Sequence, residues 1–194
     1  MSFLKDSSDF KWLTGEVKDR IIKWQFANGV KMTDTDRAFS DLCFYGEDIL
    51  KSDIFALAFE QVHHNISTVG EHTLHVALKA LDIAYDFQNK GISVNIESVV
   101  CAALCHDLGI LGRHEKFKNN LVCCFLHPRH SADIARDSFP FVSYEAYKAI
   151  ACHMFPATPI PPTTLTGLIL IWADKSCSVN EVRGIIDSLD VVPA

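Results

Sequence analysis

No apolar run in this chain is long enough to cross a bilayer. The longest, Leu165–Ala173, is broken by Thr166 and Gly167 and is about half the ~20 residues a membrane helix needs. Lys5 and Asp6 interrupt the first residues, so there is no apolar leader segment. Positive charge is also short: 18 Lys and Arg against 24 Asp and Glu leave a formal net charge of −6. That balance argues against a duplex nucleic-acid partner, but not against a small phosphorylated substrate held by a metal and a few local cations. The seven cysteines lack zinc-knuckle spacing, and Cys101 and Cys105 lie one helical turn apart. They read as small buried thiols in a reducing compartment. These absences point to a cytoplasmic protein with no membrane partner. There is no internal repeat, no low-complexity segment and no alternating strand pattern, so the expected fold class is all-α.

What is present suits one domain of 194 residues, 48% hydrophobic and 22% charged. Residues 1–52 read as an N-terminal helical cover without a histidine. Its first helix is capped by Ser7 or Ser8 and runs through Phe10, Leu13, Val17, Ile21 and Trp24 to a stop at Asn28-Gly29. A second has caps from Thr33 to Asp36 and carries Phe39, Leu42 and Cys43 on one side; a third starts at Ser52 or Asp53. The core is expected over residues 53–180. It comprises an amphipathic helix from Thr68 to Phe87, a Gly91 stop, and an apolar helix from near Ser93 or Asn95. A polar loop, Gly112–Asn120, and an apolar segment, Leu121–Leu126, precede a helix opening at Pro128 and running to about Ser138. Ser143 caps Tyr144–Met154, prolines stiffen Pro156–Pro162, and Thr163 or Thr164 caps Leu165–Ser178. Residues 181–194 form a C-terminal segment, and the sequence is compatible with a homodimer.

The chemistry starts in Val99–Cys105, whose seven small or apolar residues cover every side of a helix and therefore carry the adjoining His106 and Asp107 inside. A buried, unpaired carboxylate is costly, so Asp107 needs a cation. All nine histidines lie between residues 63 and 153, and helical angle sorts them. With His72 at 0°, Ile83 and Val76 fall at about 20° and 40°, whereas His75, Lys79 and Asp82 span about 280–340° and form the wet face. His127 projects with Ser131, Ile134 and Ala135, while His130 projects with Asp133 and Asp137; His153 sits amid Ala146, Ala149 and Ile150. Asp174 follows the apolar stretch Leu168–Ala173. The inward set is thus His72, His106, Asp107, His127, His153 and Asp174. Four buried imidazoles and two buried carboxylates call for either a buried polar network or a shared divalent metal; the metal, which satisfies all six at once, is favoured, and six ligands with one bridging carboxylate suit two ions about 3.5–4 Å apart.

These residues resemble the HD-domain superfamily of metal-dependent phosphohydrolases. The pattern reads Glu71-His72-Thr73-Leu74-His75, then Leu104-Cys105-His106-Asp107-Leu108-Gly109, then Ala173-Asp174-Lys175. His127 in Leu126-His127-Pro128-Arg129 and His153 in Cys152-His153-Met154 match two further histidines of the dinuclear branches. Together with Asn65-Ile66-Ser67-Thr68 they are most similar to small bacterial HD-domain proteins of undefined substrate. Ile110 stands where many members, notably cyclic-dinucleotide phosphodiesterases, have a lysine.

The resemblance implies an HD-domain helical bundle with an N-terminal extension. It implies that His72, His106, Asp107 and Asp174 hold one metal, with Asp107 bridging to a second held by His127 and His153. Iron or manganese is favoured; zinc, nickel, cobalt or magnesium would also serve. A hydroxide generated at the metals would attack phosphorus in a nucleotide or other small phosphoester, with His106 and Asp107 at the centre of the chemistry. Arg129 and Lys175 are expected to contact phosphate, and Arg113, His114 and Lys116 to lie in a loop able to close over substrate. His64, His75 and His130 are secondary candidates for proton transfer. Two other readings stand beside this one: a mononuclear nucleoside monophosphate phosphatase with His127 and His153 as substrate contacts, and a non-catalytic metal-dependent nucleotide sensor.

Overall fold

The structure is a computed structural model that describes residues 32–63 and 67–189, with side chains from 37 to 62 and from 67 to 181. The helix expected between Ser7 and Gly29 lies outside the described residues. Among those described, eight α-helices follow in order: α1 (Met32–Lys51), α2 (Asp53–Leu57), α3 (Val69–Asn89), α4 (Ile96–Cys105), α5 (Arg113–Lys116), α6 (Asn120–Ser138), α7 (Tyr144–Cys152) and α8 (Leu165–Leu189). One helical turn, Leu108–Ile110, links α4 to the α5 loop. The all-α expectation holds, with one small exception. Val62–His63 (β1) and Ser67–Thr68 (β2) pair antiparallel, in segments too short to show alternation in the sequence.

The caps explain where the helices begin. Ser52, Thr68, Asn95, Asn119 and Ser143 each accept a backbone N–H from the first turn that follows. At Thr68 the cap is reciprocal, because the Glu71 carboxylate accepts the Thr68 N–H at 2.9 Å. The α3 helix ends at Lys90, and Gly91 takes a φ of +79° that a side chain would strain.

The apolar helix α4 lies in the middle, packed on α1, α3, α7 and α8. Every residue from Ser98 to Cys105 is buried. All seven cysteines are free thiols, five of them buried. No helix among the described residues is long and apolar enough to cross a membrane.

Two boundaries differ from expectation. Pro128 sits within α6 rather than opening a helix. Proline removes one helical hydrogen bond, yet Cys123, His127, Ser131 and Ala135 form one buried stripe at four-residue spacing across it, and that packing carries the helix through. α8 runs on to Leu189, so no break separates residue 180 from 181. Its apolar surface is also not enclosed on every side: Leu168 and Trp172 are 51% and 63% exposed.

Candidate metal centre

Five helices deliver six side chains to one place. His72 lies one turn into α3, fixed by the Thr68–Glu71 cap. His106 ends α4 and Asp107 follows it, so the enclosed helix carries both into the interior. His127 comes from the buried stripe of α6, His153 from the end of α7, and Asp174 from α8. All six are buried, His106 at 0% exposure.

The imidazoles are held in one tautomer by what lies behind them. His106 Nδ1 donates to the Ala103 carbonyl at 2.8 Å, His127 Nδ1 to Cys123 at 2.9 Å, and His153 Nδ1 to Ile150 at 2.7 Å. A carbonyl oxygen only accepts, so each Nδ1 carries hydrogen and each Nε2 turns a lone pair inward. His72 follows the same plan with a carboxylate in place of a carbonyl, its Nδ1 donating to Glu181 Oε1 at 3.0 Å.

The inward atoms form two clusters, His72–His106–Asp174 and Asp107–His127–His153, each with its donor atoms within 4.8 Å of one another. His72 Nε2 is 3.3 Å from Asp174 Oδ1. His127 Nε2 and His153 Nε2 face each other at 3.0 Å, and Asp107 Oδ1 is 3.4 and 3.5 Å from them. The other oxygen, Asp107 Oδ2, is 3.6 Å from His106 Nε2. Asp107 thus offers one oxygen to each side.

The electrostatics call for cations. Burial alone would lower the His72 imidazole, but its bonds to Asp174 and Glu181 outweigh burial and raise it to about 10. His127 is likewise lowered by burial but raised further, to about 10, by Asp107 and Cys123. Burial dominates at His106, lowering it to about 4. Burial would raise Asp107, yet His106, His127 and His153 hold it well below the usual carboxylate range; His72, His106 and Lys175 do the same for Asp174. Carboxylates held ionised among buried imidazoles make this a place for positive charge. The donors present fit metal ions. His106 Nε2 is buried without a hydrogen-bond partner, paired Nε2 atoms at 3.0 Å need something positive between them, and imidazole with carboxylate suits iron, manganese and zinc.

A cavity of about 470 Å³ opens on this centre. Asp107, His127, His153 and Asp174 line it, with Ile110, Arg113, Asn120, Met154, Lys175 and Ser178 on its walls. His72 and His106 lie behind these groups.

Two expectations change, at Arg129 and His75. Arg129 does not reach the cavity: its Nε donates to Asp133 at 3.3 Å on the exposed side of α6, because two residues beyond His127 is about 200° around the helix. Lys175 lines the cavity, but its Nζ donates to Asp174 Oδ2 at 2.7 Å and approaches Met154 Sδ at 3.5 Å. His75 is not on a wet face, since Glu181 covers it, with Oε1 3.4 Å from His75 Nδ1. Burial lowers that imidazole. Glu181 itself was unforeseen. It lies seven residues beyond Asp174, nearly the same angle on α8, so a helix drawn past Ser178 would have placed it on the site's face. His130 is exposed, as its angle predicts, with its ring tilted against Phe117 at 5.4 Å between centroids.

No curated protein and no solved structure matches the chain. A family model of the HD domain does, over residues 69–177. That span is more than half of the sequence, and it opens at the helix of His72 and closes just after Asp174. The doublet at the end of the buried helix and the histidine and aspartate that face it therefore have a common explanation: the chain belongs to the HD-domain superfamily of metal-dependent phosphohydrolases.

Proposed function

We propose that this protein is a phosphohydrolase with a dinuclear centre, acting on a nucleotide or another small phosphoester. The observation that carries this reading is the division of Asp107, with one oxygen toward His106 and the other toward His127 and His153. In it, His72, His106 and Asp174 would hold one ion and His127 and His153 a second, with Asp107 available to both. Divalent ions bound there supply an acidified water and offset charge on phosphoryl oxygens. The chain's own part is to hold the Nε2 lone pairs at fixed angles, and to keep Asp107 and Asp174 ionised. Among the described residues, the cavity gives substrate a way to the second cluster and to Asp174. Lys175, bonded to Asp174, brings positive charge to the cavity wall.

The test is metal analysis followed by phosphate release from a broad panel of nucleotides and phosphosugars. Close to two ions per chain and turnover of a subset are expected with iron or manganese. No release with any of iron, manganese, cobalt, nickel, magnesium or zinc overturns the reading.

The second reading, a mononuclear nucleoside monophosphate phosphatase, draws on the position of His127 and His153 in the cavity wall, where they would touch substrate. One ion per chain, unchanged by His153→Ala, would favour it.

A further inference from the structure

Among the cations of the described residues that line the cavity, Lys175 is already engaged by Asp174. Arg113 is different. It lines the same cavity, and its Nε is buried without a hydrogen-bond partner. A guanidinium never loses its charge, and a buried donor without an acceptor is costly in the absence of a ligand.

The backbone that carries Arg113 is held in place. Gln61 clamps it from both directions: its Nε2 donates to the Ile110 carbonyl at 3.0 Å, and its Oε1 accepts the Gly112 N–H at 2.7 Å. Gly112 turns the chain with a φ of +70°, which sets the start of α5. The Phe117 N–H then closes on the Arg113 carbonyl at 2.9 Å, with the Phe117 ring buried as an anchor. The clamped bonds begin three residues after Asp107, so the metal-centre turn and the arginine form one stiff unit.

From this geometry we infer that Arg113 is the substrate-phosphate contact of the cavity, the role that sequence proximity had suggested for Arg129. The guanidinium presents parallel N–H groups that match two phosphate oxygens. Apart from Lys175, which is paired with Asp174, the remaining wall is uncharged and mixed, with Ile110, Cys123 and Met154 beside the polar Asn120 and Ser178, which suits the non-ionised body of a phosphomonoester rather than a second anionic group. The ligand class is therefore a phosphomonoester of an uncharged organic moiety. This inference rests on the hydrolase reading above.

Inorganic phosphate is the probe, titrated calorimetrically into metal-loaded protein. Arg113→Met is expected to weaken phosphate roughly ten- to a hundredfold, the loss of a charge-assisted contact, with metal content and melting temperature unchanged. Arg113→Lys keeps the charge without the fork and should fall between; it also serves if the methionine variant does not fold. Arg129→Met should bind phosphate as the wild type does. Equal phosphate affinity in wild type and Arg113→Met overturns the role of Arg113 and leaves the hydrolase reading standing. Wild-type protein that carries metal but binds no phosphate and releases none overturns both.

Discussion

Glu181 Oε1 lies 3.0 Å from His72 Nδ1, and the same oxygen is 3.4 Å from His75 Nδ1. The Ser67 hydroxyl donates to the other oxygen at 3.3 Å. In the first cluster His72 is therefore backed by an anion, whereas His106, His127 and His153 are backed by neutral carbonyls. A carboxylate behind an imidazole makes its inward nitrogen a better donor and fixes the ring. Glu181→Ala is expected to weaken metal at the first cluster about 10–100-fold, with Glu181→Gln in between because it keeps an acceptor. Competition against a chelator of known affinity measures this. Unchanged affinity in both variants would remove Glu181 from the site.

Metal should also hold the fold together, since its donors come from five helices. With free metal 100- to 1,000-fold above its dissociation constant, binding adds ~3–4 kcal/mol. In a chain of this size that moves the melting temperature by about 5–15 °C. Chelator is expected to lower the melting temperature of the wild type by this amount and to leave His106→Ala and Asp107→Ala unmoved. Identical curves with and without chelator in the wild type would contradict it.

The metal-free protein should be most stable near neutrality. His106 is lowered to about 4 when folded, so its contribution is complete above an unfolded value near 6.5 and is lost as pH falls toward 4. His72 and His127 are raised to about 10, so theirs is complete below about 6.5 and is lost as pH climbs to 10. Metal bound at those two imidazoles should remove their share of the alkaline loss and leave the share of the buried thiols, whose ionisation burial opposes. Urea midpoints at pH 4.5, 7 and 9.5, with and without metal, test this; a metal-free midpoint still rising at pH 9.5 would refute it.

Gly109 is where the turn after Asp107 touches α6. Its N–H donates to Ser131 Oγ at 2.9 Å, and a Cβ there would come within 2.6 Å of the His127 carbonyl oxygen and the Ser131 nitrogen. Those are backbone atoms that cannot swing aside. Gly109→Ala is expected to cost ~1–3 kcal/mol and to reduce metal at the Asp107–His127–His153 cluster in particular. Full occupancy of both clusters in this variant would show that the contact is not what sets their spacing.

Much of this site was legible because each helix reports its inward face as an angular pattern. His72 against His75, and His127 against His130, could be separated by degrees around an axis. The same reasoning stopped at the helix surface. His75 reads as wet because α3 alone cannot show that α8 covers it, and the sequence pattern carries α8 only to Ser178, three residues before Glu181. Nearness to His127 along the chain points to Arg129, although helical geometry turns it away. Arg113 lay in a stretch whose polar composition says nothing about direction; only the Gln61 clamp gives it one. Pro128 looked like a helix start because proline suits a first turn, and the stripe that overrides it becomes visible only when residues on both sides are seen packed.

Asp107 serves both neighbours with one rigid carboxylate, at 3.6 Å from His106 and at 3.4 and 3.5 Å from His127 and His153. A rotation that brings one oxygen closer to His127 and His153 draws the other away from His106, so ions at the two positions would not fill independently. Whatever occupies one sets the carboxylate that greets the other, and thermodynamic linkage makes that influence reciprocal. A single aspartate would then make metal loading cooperative or anticooperative, and a titration curve steeper or shallower than a simple hyperbola would be its signature.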